Sequence, residues 1–189
     1  MRKEKDSMGE VLVPKDAYYG AQTQRAVNNF AISSRRLSPT MIKSLAMIKK
    51  AAAIVNYNLK KIDKKVMDAI LRATDEVIKG NHNEQFVVDI YQTGSGTSSN
   101  MNMNEVISNR ANEILGYNLE EKKLIHPNDH VNLGQSSNDT FPTAINISVY
   151  VDITSNLLPA LEKIKKTLDL KVKEFSKIIK IGRTHLQDA

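Results

Sequence analysis

The densest chemistry in the sequence lies at residues 126–143, HPNDHVNLGQSSNDTFPT. Two His, three Asn, two Asp, two Ser, two Thr and one Gln leave only Val131, Leu133 and Phe141 as sizeable apolar side chains. A helix start needs one capping side chain. Here Ser136, Ser137, Asn138 and Asp139 stand in a row before a long apolar run, so the surplus groups cap, bridge loops or face a ligand. Taken singly, each fits a structural role. The cluster points to binding, because polar loop residues on a helical scaffold are where binding groups sit. A helix beginning at 137–140 aims its unpaired N–H groups and positive dipole end at the space the hydroxyls line, which suits an anion.

A second polar loop runs from Gln92 to Asn100, QTGSGTSSN. Its glycines permit close backbone approach, and Ser95 and Thr97 offer donors to oxyanions. It is not a Walker A loop, since no Lys follows the last Gly, nor a dinucleotide fingerprint, since the third Gly is missing. Arg25, beside Tyr18 and Tyr19, reads as a loop anchor or a carboxylate clamp. Thr184-His185, after Gly182 and Arg183, is by itself as compatible with a structural His as with a proton carrier.

Helices must position these groups, so the fold class is mainly α. Ser38-Pro39 is a helix start, and Leu45, Ile48, Ala52, Val55 and Leu59 form its apolar stripe. Asp63 caps a second helix with Val66, Ile70, Ala73 and Val77 inward and Gly80 as its stop. The pair makes a helical hairpin. Met41, Met47 and Met67 sit in these patterns as core residues. Ser99 is expected to cap a third helix that carries Met103, Val106, Ile107, Ile114 and Leu115 and stops at Gly116. Its Asn100, Asn102 and Asn104 cannot share one face, and serve either contacts between helices or a site. From Phe141 onward apolar residues occupy several faces, and Leu161, Ile164, Leu168, Val172 and Phe175 continue at near-heptad spacing past Pro159, which kinks the helix or starts a new one. Such a surface belongs inside a bundle and demands a partner. The domain boundary is therefore placed between 1–138 and 139–189. Residues 1–37 read as irregular with a short strand at 11–14, 84–91 as a helix or strand, and 177–181 as a strand.

Composition excludes several classes. The 189 residues contain no Cys, which removes disulfides, thiolate zinc sites and cysteine nucleophiles, and fits a cytoplasmic setting. No apolar run is long enough to span a membrane, and the N-terminus MRKEKDSMGE lacks a signal-peptide core. The net charge of +6 is spread over KK pairs within helical patterns that also carry acids, without interleaved aromatics. That describes solvated faces that steer small anions, not a nucleic-acid groove.

Four stretches in order, AYYGAQTQRA from Ala17, QTGSGTSSNMNMNEVISNRA from Gln92, HPNDHVNLGQSSNDTFPTA from His126 and IIKIGRTHLQDA from Ile178, make the chain resemble the N-terminal part of class II fumarate hydratase, in the fumarase/aspartase superfamily. The resemblance implies an N-terminal helical domain followed by the first long helix of a central bundle shared by a homotetramer. It implies reversible hydration of fumarate to (S)-malate without metal or cofactor. On that pattern Ser95, Thr97, Ser136, Ser137 and Asn138 bind the dicarboxylate, and Thr184 and His185 lie beside the reacting carbons. Lys123, His126, Asn128 and Asp129 match a second dicarboxylate pocket. The family's carbanion-forming Ser loop, its substrate-binding Lys and Asn, and the Glu that orients the His lie downstream, so residues 1–189 alone are expected to be inactive. Aspartate ammonia-lyase is the nearest rival; it usually has Asn where this chain has His126 and Ser-Thr-Asn where it has Ser136-Ser137-Asn138. A helical assembly piece without catalysis is the alternative of a different class.

Overall fold

The computed structural model describes residues 1–119, 124–180, 182 and 184–188, with backbone alone at 184, 185, 187 and 188. The first strand carries no apolar side chain after Met1. Even so, β1 (Arg2–Asp6) pairs antiparallel with β2 (Gly9–Val13), in register from Arg2↔Val13 to Asp6↔Gly9. Buried Arg2 makes this possible. Its guanidinium donates to the carbonyls of Pro14 and Lys15 (both 3.1 Å), Ala17 (2.6 Å) and Tyr19 (3.0 Å), satisfying a charge that would otherwise be costly to bury. The expected irregular segment is thus a hairpin held from beneath by a cation.

Helix α1 (Ala21–Asn29) also lies within the segment expected to be irregular. Its Arg25 donates to both carboxylate oxygens of Asp6 (2.9 and 3.1 Å) and to the Gly9 carbonyl (3.1 Å), the loop-anchor role. The helical hairpin of α2 (Pro39–Asn58) and α3 (Lys64–Ile78) starts as expected at Ser38, whose Oγ accepts the Met41 N–H at 3.2 Å. Such a cap contributes about 1 kcal/mol. Asp63 holds the corresponding position before α3 but makes no capping bond with its side chain. Gly80, at φ +87°, ends α3, and the N–H groups of Gly80 and Asn81 close onto the carbonyls of Val77 (2.9 Å) and Glu76 (3.1 Å).

The inward face of α3 is the expected one. That of α2 holds only in its first half: Leu45 is buried and Ile48 packs against the core, but Val55 and Leu59 are exposed, and Met41, Ile42, Ser44, Ala46, Lys49, Ala53 and Asn56 turn inward with Leu45. Three polar residues at core positions, Ser44, Lys49 and Asn56, rotated the apparent stripe. Met47 is also exposed, against its assignment to the core.

Helix α4 (Thr97–Ile114) packs against α1, α2 and α3 and buries Met103, Val106, Ile107 and Ala111. It begins two residues before the expected cap at Ser99, behind Gly96 in the left-handed conformation. Its buried amides serve loops more than helices. Asn102 accepts from the Val87 N–H (3.1 Å) and donates to the Gln85 carbonyl (3.0 Å), holding residues 85–87 as an irregular strap after the short 3-10 turn Asn83–Gln85. Asn112 likewise pairs with both backbone groups of Ile125. Arg110 ties α4 to α3 through Glu76 (2.6 and 2.9 Å) and holds that carboxyl down to about 2.

A π-helical turn (Pro127–Val131) leads to α5 (Ser137–Asp152), which starts where the sequence places it. A second π turn (Ile153–Leu157) precedes α6 (Leu158–Phe175), so Pro159 falls in the first turn of a new helix, where its missing N–H costs least. The chain divides into two compact units, Met1–Val149 and Tyr150–Ala189. In the second, Leu161, Ile164, Leu168, Val172 and Phe175 are exposed along α6. Residues 178–180 have no regular structure and 181 lies outside the described residues, so the strand expected at 177–181 is not found. β3 (Thr184–His185) and β4 (Gln187–Asp188) form a minimal antiparallel pair. Among the described residues no helix is long and apolar enough to cross a membrane.

Candidate active site

The 92–99 loop is closed on itself. Gln92 accepts the Ser99 N–H at 2.7 Å and donates to the Ser99 hydroxyl, and the Gly96 N–H reaches the Thr93 carbonyl at 3.0 Å. This presents Ser95 and Thr97 outward, their hydroxyl oxygens 2.8 Å apart, and Thr97 Oγ1 lies 2.9 Å from Ser137 Oγ in the first turn of α5. Three of the five residues expected to bind a dicarboxylate therefore form one exposed hydroxyl chain across two segments 40 residues apart. Ser136 and Asn138 flank it. The Ser136 carbonyl accepts from Asp139 N–H (3.1 Å) and Thr140 N–H (2.9 Å), and its Oγ from Asn138 N–H (3.3 Å). A hydroxyl rotor donates or accepts as required, so this chain beside a helix N-terminus can satisfy a carboxylate.

Gly96 fixes how the two segments meet. Its φ is +69°, and a Cβ there would lie 2.2 Å from the Phe141 ring. Gly96→Ala is expected to cost roughly 3 kcal/mol, from left-handed strain plus overpacking. Urea unfolding checks the loss; an unchanged midpoint would show that Phe141 yields without cost.

Behind the hydroxyls lies a group the sequence reading missed. Lys49, expected on a solvated face, is 0% exposed. Its Nζ donates to Asn100 Oδ1 (2.7 Å), Gln135 Oε1 (2.9 Å) and Asn132 Oδ1 (3.0 Å). Burial pushes the ammonium down to about 7, while three amide oxygens favour the charged form. Its spacing from Leu45, Ala46, Ala53 and Asn56 was the available signal. Thr184 and His185 belong to the second unit, and their side chains lie outside the described residues.

Residues 9–189 match a protein family described as Lyase. Class II fumarate hydratases of Campylobacter jejuni and Nitrosomonas europaea are each 54% identical over 188 residues, covering 100% of this chain and 41% of theirs. The chain belongs to the class II fumarate hydratase family. It spans about two fifths of the length of those relatives. The solved class II fumarase of Schistosoma mansoni aligns over 100% of this chain and 40% of its own, with a TM-score of 0.94 and 48% identity. The fold is accordingly the helical fumarase/aspartase type with an N-terminal hairpin.

In this class II fumarate hydratase family member, a concavity of about 570 Å³ opens in the first unit, apart from the hydroxyl chain. Lys3, Lys5 and Asp6 of β1, Glu105 of α4, and His126 and Asn128 are among its walls. Asp129 is not among them; its carboxylate lies 3.1 Å from His126 Nδ1, which also faces the Asn128 and Asp129 N–H groups at 3.3 Å. Lys123 lies outside the described residues. The structure thus brings His126 and Asn128 onto one cavity and adds two lysines from β1 that the sequence reading did not associate with it.

Proposed function

We propose that the full-length protein is a hydro-lyase that interconverts fumarate and (S)-malate. The observation that carries this is the Ser95–Thr97–Ser137 hydroxyl chain at the start of α5, in a chain of this family. Removing a proton beside a carboxylate builds charge on that carboxylate as an aci-form, and fixed donors aimed at it lower the barrier. Ser95, Thr97, Ser136, Ser137 and Asn138 take the donor role. His185, paired with Thr184, exchanges a proton with the departing or attacking water. No cofactor or metal enters this scheme.

The active form is proposed to be a cytoplasmic homotetramer, with the exposed apolar face of α6 buried in the central bundle; the functional division of the chain then falls between 1–138 and 139–189. The pocket at His126 and Asn128, with Lys123 and Asp129 contributing, is proposed to hold a second dicarboxylate. Residues 1–189 without the downstream Ser, Lys, Asn and Glu would not turn over. Supplying the full-length protein with malate or with aspartate tests the reading. Absorbance at the fumarate band should rise with malate only, and a rise with aspartate alone would assign it to ammonia-lyase chemistry instead.

A further inference from the structure

Two polar layers stack at the junction of α4 and α5. The outer one is the Thr97–Ser137 hydroxyl pair. One helical turn further along each helix, Asn100 follows Thr97 and Thr140 follows Ser137, and Thr140 Oγ1 donates to Asn100 Oδ1 at 3.2 Å. Residues three apart share a helix face, so the inner pair repeats the outer one a turn deeper. Asn100 and Thr140 are both buried. Asn100 Nδ2 also reaches Asn132 Oδ1 at 3.1 Å, and Gln135 Nε2 reaches the Val131 carbonyl at 2.9 Å.

We infer that Lys49 is a positioning residue for the dicarboxylate site, its buried ammonium fixing the inner layer and through it the spacing of Thr97 and Ser137; this rests on the function proposed above. An ammonium is three donors and no acceptor, so each of the three amides must present its oxygen to Nζ. That sets their orientation and leaves the nitrogens of Asn100 and Gln135 to bond Asn132 and Val131. A neutral amine keeps only two donors and turns a lone pair toward one amide oxygen, and the arrangement loosens. The groups facing Nζ are Asn100 from α4 and Asn132 and Gln135 from the segment before α5; none titrates. Among the described residues no carboxylate pairs with Lys49. Acids on the helices packed against α2 are engaged elsewhere: Asp75 of α3 with Lys50, Glu76 of α3 with Arg110 and His82, and Glu105 of α4 with the N–H groups that open α1. The positive charge is therefore left without a counter-ion beneath a site for a doubly negative acid.

The sign of the pH effect follows. A bound dianion favours the ammonium, so binding takes up a proton when the free amine is neutral, and affinity falls as pH rises above about 7. The test uses the full-length protein, with succinate as probe and malate as substrate. Lys49→Met should raise the succinate Kd and the malate KM about tenfold at pH 6.5, changing kcat less, and should remove the part of the wild-type loss of affinity between pH 7 and 9 that Lys49 supplies. Thr140→Val keeps the cation but cuts the inner layer. It should raise KM severalfold and leave the pH dependence as in wild type. If Lys49→Met does not fold, calorimetry of succinate binding to wild type at pH 8, in buffers of differing ionisation enthalpy, must show proton uptake. Wild-type affinity and pH profile in Lys49→Met, or no uptake at pH 8, would overturn the inference. A wild type that neither binds succinate nor dehydrates malate would instead remove the functional reading on which it rests.

Discussion

His185→Asn in the full-length protein is expected to lower malate dehydration about 10²–10⁴-fold, the range typical of losing a positioned general acid–base. Asparagine nearly matches the imidazole in reach and still hydrogen-bonds, so ground-state contacts survive and KM should stay within a few-fold. What it cannot do is carry a proton. Histidine is the only side chain whose unperturbed pKa lies close to neutrality, and hydration of a double bond requires a proton to pass to or from water at the carbon opposite the carbanion. The hydroxyls of Ser95, Thr97 and Ser137 are too weakly acidic for that exchange, although they suit the carboxylate whose charge grows. A kcat loss with little change in KM identifies a group acting in the transition state; a rise in KM alone would place His185 in uniform binding. Undiminished turnover would remove His185 from the reaction.

How much of this was legible depended on whether the deciding contact is local. The apolar face of α3, the start of α2 at Ser38, the stops at Gly80 and Gly116, and the opening of α5 at Ser137 each follow from residues within one turn of the feature. The hydroxyl chain was legible by residue type, since a row of Ser, Asn and Asp exceeded what one cap requires. The hairpin was not, because an all-charged β1 lacks an alternating apolar pattern, and its stabilising partners are carbonyls of residues 14–19 gathered by Arg2. Lys49 was hidden similarly: as one of a KK pair it looks like its neighbour Lys50, which does lie at the surface in an ion pair with Asp75. Only the fold sets three amides from distant segments around one of the two.

Glu105→Ala should destabilise the protein by about 3–5 kcal/mol, the cost of leaving buried partners of a charge unsatisfied. Helix α1 has no cap of its own, because Gly20 supplies no side chain. The carboxylate of Glu105, from the middle of α4, takes that role instead. It accepts from the N–H groups of Gly20 (2.8 Å), Gln22 (3.0 Å) and Thr23 (3.1 Å) and from the Thr23 hydroxyl. Gly20 is glycine for the same reason: a Cβ would lie 3.0 Å from Glu105 Oε1. Burial pushes the carboxyl up, and the donors pull it back toward the ionised form. Glu105→Gln separates charge from shape. It keeps one acceptor oxygen but points an NH₂ at N–H donors, so it should lose most of what alanine loses. Equal unfolding midpoints for Glu105→Gln and wild type would show that shape alone holds α1. Because Glu105 also lines the cavity at His126, water entering there can reach part of the exposed N–H row, which sets the expected loss from alanine nearer ~3 than ~5 kcal/mol.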